Sequence, residues 1–145
     1  MKRPPVPSLH YDQAAAAADF LCSAFGFEKR FILCDEADPN IIYQAELTFG
    51  GGMVMIGSAL PSSKMNAVYE WKTRREANCV TSVISLIVDD VDQHCARARE
   101  AGAEIIREPH DNQGFPGRTY DARDPEGYVW NITTHDPWTD KHELG

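Results

Sequence analysis

Apolar and polar positions follow the same pattern in two separate stretches of the chain. Val6-Pro-Ser-Leu-His-Tyr-Asp leads into an alanine-rich stretch that ends at Phe25, Gly26 and Phe27-Glu28. Val83-Ile-Ser-Leu-Ile-Val-Asp leads into a mixed stretch that ends at Ala101, Gly102 and Ala103-Glu104. Each reads as a short strand, an aspartate able to cap a helix, about three helical turns, and a glycine suited to a left-handed stop. The first helix, roughly 13 to 25, gathers Ala17, Phe20, Leu21 and Ala24 on one face. The second, roughly 90 to 101, has the weaker apolar face of Val91, Cys95 and Ala98, with Asp, Gln, His, Arg and Glu side chains outward.

Strand-like runs follow each helix. In the first half they are Lys29 to Cys34, Ile41 to Phe49 and Met53 to Gly57, with Gly50-Gly51-Gly52 as the hairpin turn. In the second half they are Glu104 to Arg107, Arg118 to Arg123 and Tyr128 to Thr134. Asp124-Pro125-Glu126-Gly127 joins the last two, with Asp, Pro and Gly each at its preferred place in a type I turn. The pattern predicts one α/β domain over residues 1–145, made of two βαβββ modules at about 4–58 and 81–136. Between them a linker, about 59–80, carries Tyr69, Trp71 and four basic side chains, and an excursion from His110 to Gly117 interrupts the second module.

Composition narrows the partners. Fourteen basic and 22 acidic side chains leave a formal charge of −8. That balance argues against a nucleic-acid groove or an anionic membrane surface, each of which needs a basic stripe. The N-terminal MKRPPVPSLHYD has no apolar run after its basic residues, and no stretch has a membrane span's length, so a cytoplasmic location is expected. The four cysteines, Cys22, Cys34, Cys79 and Cys95, are scattered without metal-ligand spacing and are expected to be free thiols. No nucleophile elbow is present. The Gly50-Gly51-Gly52 run lacks the Lys-Ser/Thr of a phosphate loop.

The run Gly117-Arg-Thr-Tyr-Asp-Ala-Arg-Asp-Pro-Glu-Gly-Tyr-Val-Trp-Asn-Ile resembles the end of the second module in the vicinal oxygen chelate superfamily, the glyoxalase, bleomycin-resistance and extradiol-dioxygenase group. Ala-Phe-Gly-Phe-Glu at 24 to 28, Ala-Glu-Leu-Thr-Phe-Gly at 45 to 50 and Leu-Ile-Val-Asp-Asp-Val-Asp at 86 to 92 agree in order and spacing. The resemblance covers about residues 4 to 138. It implies an α+β fold in which two βαβββ modules form a U-shaped mixed sheet around a cavity, often completed by a homodimer partner.

Metal-dependent enzymes of that superfamily draw one ligand from each of four strands. The resemblance places Val6, Glu46, Val83 and Asn131 at those positions. Valine coordinates nothing, and one carboxylate with one neutral amide is a poor site for a divalent ion. No metal and no cofactor are therefore expected. A one-residue slip offers no escape, because it turns the side chain to the opposite sheet face.

Strand alternation then assigns the cavity wall. Val6, Ser8 and His10, Glu46 and Thr48, Val83, Ser85 and Ile87, and Val129, Asn131 and Thr133 face inward, while Leu86, Trp130 and Ile132 belong to the core. The resemblance adds Thr119 and Asp121. Tyr69 and Trp71 are placed either as a lid over a flat ligand or as a dimer anchor. In glutathione-using relatives an arginine stands where His10 stands here, which speaks against glutathione. Glu46 is the one candidate catalytic residue, as a general base. The expected function is metal-independent binding of a small molecule in a homodimer, with sequestration of an antibiotic or metabolite as one form of it. The alternatives are a glyoxalase-like lyase, isomerase or dioxygenase using Glu46 with or without a divalent metal, and a regulatory module with a vestigial pocket.

Overall fold

The computed structural model describes residues 1–60 and 63–139. The first module comprises β1 (Ser8–Tyr11), α1 (Ala14–Phe20), β2 (Glu28–Cys34), β3 (Ile42–Phe49) and β4 (Gly52–Ser58). The linker holds two short helices, α2 (Lys64–Tyr69) and α3 (Arg74–Ala77). The second module comprises β5 (Ile84–Ile87), α4 (Val91–Glu100), β6 (Glu104–Asp111), β7 (Arg118–Arg123) and β8 (Val129–Thr133). Each module is a four-stranded mixed sheet, ordered β1-β4-β3-β2 and β5-β8-β7-β6, with the first strand of each parallel to its neighbour. This is the expected α+β architecture of paired βαβββ modules.

One side of each sheet is apolar and covered. Tyr11, Leu21, Phe25, Leu47, Tyr120, Trp130 and Ile132 are fully buried and belong to one cluster that spans both modules. Phe25 and Phe27 meet the Trp130 indole with ring centroids 5.5 and 5.7 Å apart, so the expected core tryptophan joins the halves. The helical faces read from the sequence, Ala17, Phe20, Leu21 and Ala24 on one and Val91, Cys95 and Ala98 on the other, are buried as well.

The helix ends differ from the sequence reading in ways that matter. After Phe20 the first helix widens into a π-helical segment, Leu21–Phe25, which Gly26 stops at φ +89°. Asp12 does not cap it: the N-cap residue is Gln13, with no side-chain cap bond. The cap comes from the other module, where Glu126 accepts from Asp12 N–H at 2.7 Å and from Gln13 N–H at 2.9 Å. In α4 the cap is Asp90, accepting from Gln93 N–H at 3.0 Å, and not the preceding Asp89. Nor are the polar residues of α4 all outward. Arg97 donates to the carbonyls of Ser23 and Cys22 at 2.9 and 3.0 Å, the latter also accepting from Gly26 N–H at 3.2 Å. His94 Nε2 donates to the Phe25 carbonyl at 2.8 Å.

The Asp124–Gly127 turn does more than reverse the chain. Asp124 is buried, and its carboxylate accepts from Tyr11 Oη at 2.6 Å, Trp130 Nε1 at 3.1 Å, and the N–H groups of Glu126 and Tyr128 at 3.0 and 3.1 Å. Burial pushes its carboxyl above the usual range, against the pull of these four donors. Tyr128 Oη donates to the His10 carbonyl at 2.8 Å, and Arg74 Nε to the Gly127 carbonyl at 3.2 Å. The turn thus fixes β1, the start of α1 and the linker together.

Two outcomes follow for stability. Tyr11→Phe leaves a buried carboxylate oxygen short of a donor and is expected to cost about 1–3 kcal/mol; Glu126→Ala removes the cap and is expected to cost about 0.5–2 kcal/mol. Urea unfolding checks both, and a change below about 0.5 kcal/mol in each would contradict the role given to the turn. The second outcome concerns His94. Its bond to a carbonyl puts the proton on Nε2, so neutral Nδ1 accepts from Tyr120 Oη at 2.6 Å. Burial holds its pKa below the ordinary 6.5. A depressed histidine contributes stability that is present above that ordinary value and lost as pH falls through the folded one. The drop in melting temperature from about pH 7.5 to about pH 5.5 should therefore shrink in His94→Gln; an undiminished drop would be inconsistent with it.

Candidate functional site

Opposite the covered sides, each sheet presents a second face. In the first module one row crosses the sheet as Ser8, Met55, Glu46 and Phe31, which are register partners on β1, β4, β3 and β2. In the second the corresponding row is Ser85, Asn131, Asp121 and Arg107 on β5, β8, β7 and β6. The rows correspond strand for strand, so Met55 stands where Asn131 stands and Glu46 where Asp121 stands.

In this register Val6 and Val83, two of the positions that the resemblance assigned, lie outside the rows. Val6 and Val83 lie just ahead of β1 and β5 and are 43% and 51% exposed. The residues beside Met55 and Asn131 are Ser8 and Ser85, two residues further on. A two-residue shift keeps the same face, so the assignment of the wall is unaffected. The four inner-strand positions then carry two hydroxyls, a thioether and an amide. Divalent zinc, nickel, iron or manganese needs carboxylate, imidazole or thiolate ligands, which these positions lack. Among the described residues no group of three or more His, Cys, Asp or Glu is placed to hold a metal ion. The residues do not fit a metal cofactor.

The second-module row is internally hydrogen-bonded. Ser85 Oγ donates to Asn131 Oδ1 at 3.2 Å and Asn131 Nδ2 to Asp121 Oδ1 at 2.8 Å. One row further along, Thr119 donates to Asn112 Oδ1 at 2.6 Å and sits 3.0 Å from the Thr133 hydroxyl. In the first module Glu46 is ion-paired with Arg30 through one carboxylate oxygen and accepts from Gln44 Nε2 at 3.1 Å through the other. Arg30 and Gln44 escaped the sequence reading, although Gln44, two residues before Glu46, shares its face by alternation. Thr48 lies on the same face near the hairpin, paired with Met53 and Glu28.

His10, at the other end of β1, is covered by the linker. Its imidazole and the Trp71 indole are stacked with centroids 3.3 Å apart and planes 9° apart, and Tyr69 meets the indole edge-on at 5.5 Å. The pair of Tyr69 and Trp71 lies against the first sheet, in the wall of one cleft with Ser8, Gln44 and Met55. The cleft beneath, about 410 Å³, is lined by Ser8, His10, Gln44, Met55, Tyr69 and Trp71 among others. Burial lowers the His10 pKa. Gly57, paired with His10, lies close against β3, where a Cβ would meet the Tyr43 carbonyl oxygen at 3.2 Å.

Ser85 lines a different cleft, of about 500 Å³, with Phe27, Phe49, the Gly50–Gly52 turn, Ile87 and Trp138. Glu46, Thr48, Thr119, Asp121 and Asn131 line neither of these clefts. Of the wall residues read from the sequence, Val6, Ser8 and His10 line one cleft and Ser85 and Ile87 the other. Arg118 and Arg123 serve as ion-pair residues, Arg118 gripping Asp92 through Nε and Nη2 at 2.8 and 3.0 Å and Arg123 reaching Glu104 at 3.6 Å.

Paired modules with this turn and these opposed faces define a protein class, and comparison agrees. The chain belongs to the Glyoxalase/Bleomycin resistance protein/Dioxygenase superfamily, whose family model matches residues 7–132. TioX from Micromonospora sp. ML1 is 28% identical over 93% of this chain and 100% of its own, with a TM-score of 0.69. Hypothetical protein SA1046 from S. aureus is 22% identical over 93% and 95% of the two chains, with a TM-score of 0.67. The fosfomycin resistance protein FosX from Mesorhizobium loti is 12% identical over 95% and 96%, with a TM-score of 0.62. The last two likenesses concern the fold. No curated protein sequence matches the chain significantly.

Because the indole covers His10, Trp71→Ala should let the His10 pKa rise toward 6.5. A proton NMR titration of the imidazole follows it; a further fall would contradict the stacked arrangement.

Proposed function

We propose that this chain is a metal-independent binding protein for a small, polar organic molecule, and that two copies together complete its cavity. The observation that carries the reading is the inner-strand set Ser8, Met55, Ser85 and Asn131. Hydroxyl and amide groups beside a thioether match the mix of hydrogen-bonding and apolar surface that organic ligands need, and they leave a divalent ion unheld. Sequestration of an antibiotic is the finer form of this proposal. Its support is the family's own name and the fosfomycin resistance protein among the fold's neighbours.

The homodimer rests on the two open faces. Phe31 and Leu33 flank Glu46 and Gln44 on the first face and are 47% and 50% exposed. On the second, Ile87 is 39% exposed beside Thr133. Large apolar side chains left open around polar rows are the usual mark of a surface that another protein covers. The first face of one copy against the second face of another would enclose both rows.

A thermal-shift screen of antibiotics and metabolites, run with and without chelator, tests the binding. A ligand is expected to raise the melting temperature equally in both, since only folded protein binds it. A rise that vanishes with chelator would contradict metal independence. Light scattering tests the assembly: a dimer is expected for the native chain and a folded monomer for Leu33→Glu, whereas a native monomer would refute the shared cavity.

A further inference from the structure

Trp71 stands in the wall of three clefts at once. One is the cleft over the first sheet, the second, of about 380 Å³, also holds His10 and Asn66, and the third, of about 340 Å³, lies along the linker towards Ser82 and Tyr128. Its indole lies flat on the His10 imidazole, with ring centroids 3.3 Å apart and planes 9° apart. The residue before it, Glu70, is held at φ +54°, a left-handed conformation that a side chain with a Cβ adopts at a cost.

A second observation lies in the adjoining cleft. Asn66 Nδ2 donates to the Leu60 carbonyl at 2.6 Å, which fixes the orientation of the amide. Its Oδ1 is then buried without a hydrogen-bond partner. A buried acceptor left bare is costly and calls for a donor. The same cleft presents the Glu70 and Glu76 carboxylates, with Lys72 as the one opposing charge among its lining residues.

We propose that Trp71 is a displaceable plug: it fills on His10 the place of a planar aromatic or heteroaromatic ring, whose N–H substituent reaches Asn66 Oδ1. This names the ligand class of the binding protein proposed above and rests on that reading. Displacing the indole joins the clefts that it now separates. The ligand ring recovers the stack on His10, and its N–H group satisfies the bare oxygen.

The chain has three tryptophans, giving three indole N–H signals in the NMR spectrum of the nitrogen-labelled protein, and Trp71→Phe assigns the one of interest. Aminoquinoline, quinoline and cyclohexylamine are the probes. Aminoquinoline is expected to shift the Trp71 signal saturably while leaving that of buried Trp130 in place. Quinoline, without the donor, is expected to bind more weakly, and cyclohexylamine, without the ring, not measurably. In Trp71→Ala no stack has to be broken first, so aminoquinoline should bind roughly 2- to 10-fold tighter. Equal or weaker binding to that variant would overturn the plug. So would a ligand of another class that binds with the Trp71 signal unmoved, although the binding-protein reading would then stand. Asn66→Ala should weaken aminoquinoline towards quinoline; if the variant does not fold, the comparison of the two probes on the native chain decides the same point.

Discussion

Two buried carboxylates in one four-residue turn set the arrangement of the whole molecule. Asp124 and Glu126 are 5% and 6% exposed, yet each accepts hydrogen bonds from the other module. A carboxylate taken out of water is tolerated only where donors replace the lost hydration, and breaking such an arrangement costs more than its absence would. For Glu126 those donors are the N–H groups of Asp12 and Gln13, just ahead of α1, and for Asp124 Tyr11 Oη joins three donors of its own module, so the β7–β8 turn is fully satisfied only with the first module in its place. Arg97 and His94 return the favour, capping the end of the first helix from α4. The polar links run in both directions around one apolar cluster.

That arrangement has a consequence for the site. The covered sides of both sheets share one core, and of the row residues on their other faces Ser8 and Met55 line one of the two clefts described and Ser85 the other. Phe31, Leu33 and Ile87 are the large apolar side chains exposed on these faces. The chemistry of the rows follows from register: hydroxyl, thioether and amide at the inner strands, with the carboxylates Glu46 and Asp121 one strand further out.

Much of this was legible in the sequence, because it depends on local periodicity. Alternation on β5 and β8 separated buried Leu86, Trp130 and Ile132 from Ser85 and Asn131, and the glycine stops at Gly26 and Gly102 hold as read, at φ +89° and +99°. Illegible features arise from partners far apart in the chain. Asp12 has the residue type of a cap, but Glu126 supplies the bonds; His94 and Arg97 look like a solvated face until the end of the first helix is placed against them. Register across the Gly50–Gly52 hairpin decides that Met55, not Glu46, corresponds to Asn131, and a glycine-rich turn leaves register weakly specified. The linker helices are four and six residues long, too short for periodicity to show.

The account turns on the donor set of the inner strands, and metal analysis addresses it most directly. Purified protein is exposed to nickel, zinc, iron(II) and manganese, dialysed, and measured for bound metal. The account predicts far less than one ion per chain for every metal, unchanged in Glu46→Gln. One tightly held ion per chain, lost in that variant, would contradict it.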